Sequence, residues 1–319
     1  MNLMINTYCN FHCPYCFAQT EMKTNTVKNI NLDNFQTYLD FLKQNNEKSV
    51  RLIGGEPSLH PQFFDLLDII ISYDCFSSVL IFSNFSFSFE FAQKIVEYSN
   101  EIFIEFLPNI NNNPQFLPII ERNLDYLSLC IPDAVRRISI NIFDPHQDMN
   151  FWEDIIAKYN ISEIRWSITV PNIKLSKNFN FKQYFHEFQP ILKEMLTWAT
   201  KYNVTFHCDC NNPPICAYDD DFIVFAMKID PSFFGDFACD GSALDVTPEL
   251  DIIGCFGCNK FKHALSEFET FDEILDLLHA EEDSLRKTPP QKECLSCPRH
   301  VRTGLYCACL GYRKEKEND

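Results

Sequence analysis

Six short apolar runs, each followed by a longer stretch of helical periodicity, occupy the first 200 residues of this 319-residue chain. The runs are Leu3–Thr7, Val50–Ile53, Ser78–Ser83, Ile102–Leu107, Arg137–Phe143 and Glu163–Val170. They are rich in Ile, Val and Phe, which suits strands buried on both faces of a parallel sheet. The helical stretches are Leu32–Lys43, Pro61–Ser72, Ser88–Tyr98, Pro114–Leu127, Asn150–Tyr159 and roughly Phe181–Lys201. Pro61 fits a first helical turn, and Phe63, Phe64, Leu66, Leu67, Ile69 and Ile70 after it supply a packing face. Strand–helix repetition of this length implies a parallel α/β structure. Periodicity does not distinguish an open sheet from a partial barrel. In both, functional loops gather at the carboxyl ends of the strands.

The loop after the first strand carries Cys9, Cys13 and Cys16, in the run Tyr8-Cys-Asn-Phe-His-Cys-Pro-Tyr-Cys-Phe17. Three thiolates at this spacing hold three irons of a 4Fe–4S cube and leave the fourth without a protein ligand, a place for something else to bind. Zinc is the alternative. A structural zinc site wants four N or S ligands in a closed tetrahedron. His12 is the nearby candidate, but it adjoins Cys13 in the same short loop.

The loop after the second strand reads Arg51-Leu-Ile-Gly54-Gly55-Glu56-Pro57. With only 8 glycines in the chain, an adjacent pair at a strand end is informative. Two glycines let another group approach the backbone closely. Glu56 offers a carboxylate to an ammonium group, and Pro57 holds Glu56 extended. The competing reading is an ordinary glycine turn. Both constellations follow strands and share one rim.

Composition excludes some classes of function. A net charge of −17 disfavours nucleic acid as a partner, since phosphate binding wants a basic face. No run of about 18 apolar residues suggests a membrane span. Met1–Asn6 lacks the basic and apolar regions of a secretory leader, so the 15 cysteines point to metal ligation in a reducing cytoplasm rather than to disulfides. The chain contains no H-x-x-H or H-E-x-x-H pattern, no phosphate-binding loop and no Gly-x-Ser-x-Gly elbow. His60 reads as a loop residue or helix cap, Asp219-Asp220-Asp221 as a solvated turn, and Cys75 and Cys130 as buried apolar residues.

Near residue 205 the strand–helix alternation stops and cysteines become dense: ten lie between Cys208 and Cys309. This places a boundary between residues 1–205 and 206–319. Cys239 to Cys255 reads as a β-hairpin with a cysteine at each foot. Cys208 or Cys210 is a candidate thiol hydrogen donor, with a ligand or inert role as the simpler reading.

A cysteine triplet after strand one with Gly-Gly-Glu-Pro after strand two resembles the radical S-adenosylmethionine (radical SAM) superfamily, over about residues 1–205. The resemblance implies a partial (β/α)6 barrel. It assigns Cys9, Cys13 and Cys16 to the catalytic 4Fe–4S cluster, with Tyr15 as the aromatic residue usual before the third cysteine. Gly54, Gly55 and Glu56 would receive the amino group of S-adenosylmethionine (SAM). Ser83-Asn84 stands where family members often place a Thr-Asn-Gly-like turn, with Phe85 in place of glycine. Ser139 and Asn141, and also Glu105, are candidates for facing the ribose. The competing reading is that these polar strand residues are satisfied interior groups.

Residues 206–319 are similar to the SPASM/twitch auxiliary iron–sulfur domain. The metal candidates there are Cys216, Cys239, Cys255, Cys294, Cys297, Cys307 and Cys309, with Cys258 in reserve. Two departures stand out. Leu250 replaces the glycine usual five residues before Cys255, and the closing array is spaced differently, so one or two auxiliary clusters fit. A zinc site on Cys294 and Cys297 is the alternative.

The resemblance implies a cytoplasmic radical SAM oxidoreductase that cleaves SAM and abstracts hydrogen from a substrate. Modification of a ribosomally made peptide is the leading expectation, with an external reductant. Strand one starts by residue 3, so a peptide would be recognised by the barrel rim or through a separate recognition protein. Sulfatase-maturase-like chemistry or small-molecule dehydrogenation is the alternative. A non-catalytic iron–sulfur or zinc protein for electron transfer or interaction is the rival from another class.

Overall fold

The computed structural model describes residues 1–111, 113–169, 180–209, 213–235, 244–254, 262–289 and 292–297. The strands are β1 Asn2–Met4, β2 Ser49–Ile53, β3 Ser78–Ser83, β4 Phe103–Pro108, β5 Arg137–Ile142, β6 Glu163–Ile168, β7 Thr205–Cys208, β8 Asp245–Val246, β9 Asp251–Ile253 and β10 Lys262–Ala264. The helices are α1 Gln19–Thr24, α2 Leu32–Gln44, α3 Phe63–Ser72, α4 Phe89–Tyr98, α5 Leu117–Cys130, α6 Asn150–Tyr159, α7 Phe181–Glu187, α8 Gln189–Tyr202, α9 Asp220–Ile229 and α10 Phe271–Arg286.

Two compact units result, Met1–Ile138 with Ala243–Leu277, and Ser139–Ser242 with Leu278–Asp319. The first holds a seven-stranded sheet in the order β10-β9-β8-β1-β2-β3-β4. Strands β1 to β4 pair in parallel, and β8 joins β1 in parallel from the other side. Strand β9 runs antiparallel to both its neighbours, β8 and β10. The second unit holds β5-β6-β7, with β6 and β7 parallel. This is the parallel α/β structure expected from the alternation.

The apolar runs become strands because both faces are covered: Val50, Leu52, Val79 and Ile81 are fully buried. Helix α2 shows the matching helical logic. Asn31 caps it by accepting from the Asn34 amide, and Phe35, Tyr38, Leu39 and Leu42 form its buried stripe. Strand β1 is shorter than its apolar run. Beyond Met4 the chain leaves the ladder, with Asn6 in an isolated bridge to Asn29 and the Thr7 amide bonded to the Lys28 carbonyl.

Three expectations need correcting. The helix drawn over Phe181–Lys201 is two helices, because Pro190 has no N–H to continue the first one and instead sits in the opening turn of α8. The alternation does not stop at residue 205. It continues through β7 and α9, whose strand was missed because Thr205 and His207 face outward and dilute its apolar signal. Asp220 and Asp221 are not a turn but the first turn of α9, where carboxylates suit the helix dipole. Among the described residues, no helix is long and apolar enough to cross a membrane.

Candidate active site

The rim at the ends of β1, β2 and β3 is tied together by backbone. Gly55 N–H donates to the Asn6 carbonyl (3.0 Å) and Glu56 N–H to the Tyr8 carbonyl (2.9 Å). The Asn6 amide returns a bond to the Glu56 carbonyl at 2.7 Å. This contact explains the glycine pair. A Cβ on Gly55 would lie 1.9 Å from Tyr8 O and 2.8 Å from Cys9 N, and one on Gly54 would lie 2.3 Å from Asn6 Oδ1. The group that approaches these glycines is the cysteine loop itself.

Glu56 latches β2 to β3. Its side chain is 1 % exposed, and Oε1 accepts from Ser58 N (3.2 Å), Ser58 Oγ (2.7 Å) and Ser83 Oγ (2.8 Å). Oε2 accepts from Asn84 N at 2.7 Å. Burial pushes this carboxyl upward against four hydrogen bonds that pull it down. The carboxylate read from sequence as an ammonium partner is thus engaged by donors of its own chain.

Asn84 carries the connection on to the cysteines. Its Nδ2 donates to Asn10 Oδ1 (2.9 Å) and reaches Cys9 Sγ at 3.7 Å, while its Oδ1 accepts from Ser86 N and Oγ. Phe85, where a glycine would be at ease, holds φ at 62° with its ring fully buried.

Each thiol faces N–H donors. Cys9 Sγ accepts from Phe11 N at 3.3 Å, and Cys13 Sγ from Asn111 Nδ2 at 3.3 Å. The Tyr15 hydroxyl also contacts Cys13, and the amides of Ala18 and Gln19, at the start of α1, face Cys16. Burial pushes the Cys9 thiol up to about 12 and raises Cys13 and Cys16 as well. Half-buried thiols ringed by N–H groups suit thiolates whose charge is shared with a metal. By this donor chemistry the loop fits an iron–sulfur cluster held on Cys9, Cys13 and Cys16. Among the described residues, no three His, Cys, Asp or Glu side chains converge on one point as ligands of a single ion.

Comparison with known proteins settles the family. Residues 3–186 match the radical SAM superfamily. The chain belongs to that superfamily. It is therefore an enzyme of a class that implies a 4Fe–4S cluster and SAM. Among solved structures, the fold resembles anSMEcpe with bound AdoMet, at 13% identity and a TM-score of 0.66 over 98% of this chain and 93% of that one. It also resembles Streptococcus suis SuiB bound to S-adenosylmethionine, at 16% identity and a TM-score of 0.58 over 93% and 69%. SuiB bound to precursor peptide SuiA gives 16% identity and a TM-score of 0.61 over 92% and 68%. A GTP 3′,8-cyclase of Shewanella denitrificans is 30% identical over 69 residues, 22% of this chain. The match spans 20% of that curated relative's length.

In this radical SAM chain, the other residues singled out from sequence are placed as follows. Ser139 and Asn141 stand on β5 in the second unit, where Ser139 is buried and Asn141 Oδ1 accepts from Ser167 Oγ at 3.2 Å. Glu105 on β4 pairs with Arg137 at 2.8 Å. Cys216 is exposed in a short 3-10 turn, Ile215–Ala217. Cys294 is buried in a 3-10 segment, Lys292–Ser296, and Cys297, half-buried, follows its end, with Cys297 N–H donating to the Cys294 carbonyl at 3.0 Å. Cys239, Cys255, Cys307 and Cys309 lie outside the described residues, as do Cys210 and Cys258.

The hairpin drawn between Cys239 and Cys255 is present as β8 and β9, and Leu250 in its turn holds φ at 68°. His60 lies in the loop before α3, one of its two expected readings: Gln62 N–H donates to its Nδ1, which leaves Nε2–H for the Ile30 carbonyl at 3.3 Å. Cys130 is exposed and Cys75 half-buried, against the expectation that both are buried, because each falls at or beyond the end of a helix. Cys208 is buried on β7, and burial raises its thiol well above the ordinary range. Sequence reasoning missed Asn10 and Asn111. Their only signal was an amide side chain in or beyond a strand-end loop.

Proposed function

We propose that this enzyme holds a 4Fe–4S cluster on Cys9, Cys13 and Cys16, cleaves SAM reductively and modifies a ribosomally made peptide. The observation that carries the reading is the ring of N–H donors around the three thiols. When bound, the cluster and SAM together supply a 5′-deoxyadenosyl radical able to take a hydrogen atom from a substrate, at the cost of one electron from an external reductant. By the resemblance, Gly54 and Gly55 would receive the amino group of SAM, with Tyr15, Ser83 and Asn84 as further contacts, while the Glu56 carboxylate is already taken up by Ser58, Ser83 and Asn84. The chain's own task is rigidity. The backbone bonds from Asn6 and Tyr8 to Gly55 and Glu56 hold the cysteine loop against β2, and the Glu56 carboxylate holds β2 against Ser83 and Asn84.

The peptide reading draws support from the likeness to SuiB, a structure of which contains precursor peptide SuiA. A peptide would reach the barrel rim directly or through a separate recognition protein. The second half of the reading is a SPASM/twitch-like auxiliary region within residues 206–319, outside β7 and α9, with one or two auxiliary clusters on Cys216, Cys239, Cys255, Cys294, Cys297, Cys307 and Cys309. Cys294 and Cys297 are three residues apart and joined by the bond from Cys297 N–H to the Cys294 carbonyl, a spacing that suits a shared site.

Anaerobic reconstitution, iron counting and an assay for 5′-deoxyadenosine after dithionite reduction test the first half. A Cys9→Ala, Cys13→Ala, Cys16→Ala triple variant should lose all cleavage while keeping the iron of the other cysteines. Full iron loading of the wild type without any SAM cleavage would sink the reading. For the substrate, any short precursor-like reading frame beside the gene supplies the peptide to be incubated, and mass spectrometry should find it altered.

A further inference from the structure

The three thiols are not equivalently supported. Cys9 has a backbone amide at 3.3 Å and only a distant side-chain amide, Asn84 Nδ2 at 3.7 Å. Cys16 is faced by the backbone amides of Ala18 and Gln19. Cys13 is met by two side chains, the Asn111 amide at 3.3 Å and the Tyr15 hydroxyl, which also contact each other. Asn111 stands beyond β4, 98 residues from Cys13 in sequence.

Beyond Cys13, the Asn111 side chain also meets the Tyr15 hydroxyl. Its Oδ1 is buried and accepts no hydrogen bond among the described residues. A buried acceptor left unpaired is unfavourable, so the orientation is held from the nitrogen end. Flipping the amide would set oxygen against sulfur, acceptor against acceptor, at the same distance. Chemistry therefore dictates that Asn111 donates.

We infer that Asn111 is a positioning residue that sets the reduction potential of the cluster by donating its amide N–H to the Cys13 thiolate. The inference rests on the reading that Cys9, Cys13 and Cys16 hold that cluster. Reduction adds one electron, taken from an external reductant such as dithionite, and with it one unit of negative charge spread over iron and sulfur. An N–H aimed at a ligand sulfur stabilises the more negative state more than the less negative one, which raises the potential. Removing the donor makes the cluster harder to reduce.

The test is an EPR-monitored redox titration of the reconstituted full chain. It follows the reduced-cluster signal that changes when SAM is added and is missing from the triple cysteine variant. Asn111→Leu should shift the reduction equilibrium about tenfold toward the oxidised form, about 59 mV for one electron. Asn111→Asp keeps the shape but puts oxygens against the sulfur, and should shift it further. Asn111→Gln keeps a donor and should stay nearest the wild type.

Leu and Asp potentials within twofold of wild type would overturn the inference. So would an equal loss of iron from all three variants, since the donor would then not be what matters. If only Asn111→Leu loses iron, the Asp and Gln potentials decide, lying apart in the stated order or not. A triple cysteine variant that retains the SAM-responsive signal would instead overturn the underlying cluster assignment, a separate result.

Discussion

The two turns that flank the cysteine loop are built by opposite means. After β2, side chains are removed: Gly54 and Gly55 leave room because the backbone of Asn6, Tyr8 and Cys9 occupies the space where a Cβ would stand. After β3, a large side chain is kept at a price in backbone strain. Phe85 takes a left-handed conformation that glycine adopts freely, and its ring packs at 5.2 Å from Phe87 and 5.1 Å from Phe106. What lies outside the first turn dictates its residues, and what lies beneath the second dictates Phe85. The same backbone conformation recurs at Leu250, which is only half-buried.

The largest expected effect breaks the first turn. Gly55→Ala forces a Cβ into Tyr8 O, and both partners are backbone, so the cysteine loop must move. On the proposed function, displacing it by about 1 Å should lower SAM cleavage on the order of 100-fold, with iron content falling in parallel. Wild-type cleavage and iron content in this variant would show that the loop tolerates the shift.

The second turn and its counterpart sharpen the comparison through stability. Removing a buried Phe side chain costs about 3–5 kcal/mol, and relief of left-handed strain returns about 1–2 kcal/mol. Phe85→Gly should therefore destabilise by about 1–4 kcal/mol in urea denaturation. For Leu250→Gly, relief of about 1–2 kcal/mol faces the loss of a half-buried side chain and the added freedom of an unfolded glycine. It should stay within about 1 kcal/mol of wild type. Equal losses at the two positions would mean that burial does not decide between them.

The smallest effect is at the far end of the β2 turn. Burial lowers the folded-state pKa of His60, so the unfolded chain takes up the proton first. The contribution is fully present above the unfolded value of about 6.5 and is lost as pH falls from there through the lowered folded value. His60→Gln should flatten the fall in urea midpoint between pH 7.5 and 5. Identical slopes would assign the loss to other groups.

Much of the sheet was legible because its signal is local. Strand β3 and helix α6 fall on the residues expected, since an apolar run or an amphipathic stripe needs only its own neighbours. The cysteine spacing and the glycine pair were legible as patterns, but the reason for the glycines was not. It depends on a contact between Gly55 and Tyr8, far apart in sequence, and no local pattern encodes it. Asn111 was hidden for the same reason: an asparagine in a loop looks like any turn residue until the fold sets it against Cys13. Glu56 shows the converse. Its carboxylate reads as a ligand group in sequence, and only the packed structure reveals Ser58, Ser83 and Asn84 around it.

The pairing of β1 with β8 bears on how the molecule is made. Asn2 and Leu3 lie opposite Asp245 and Val246, and Asn2 Nδ2 bonds Asp245 Oδ1 at 2.8 Å, a separation of 243 residues. At about 5–20 residues per second, a ribosome needs roughly 12–50 s to produce the partner after finishing β1. Contacts of such long range close late and slowly. Until Asp245 and Val246 are made, the edge of β1 that they cover has no β8 to pair with. On the proposed cluster assignment, iron–sulfur loading would have that interval in which to meet Cys9, Cys13 and Cys16 before β8 is available to pair with β1.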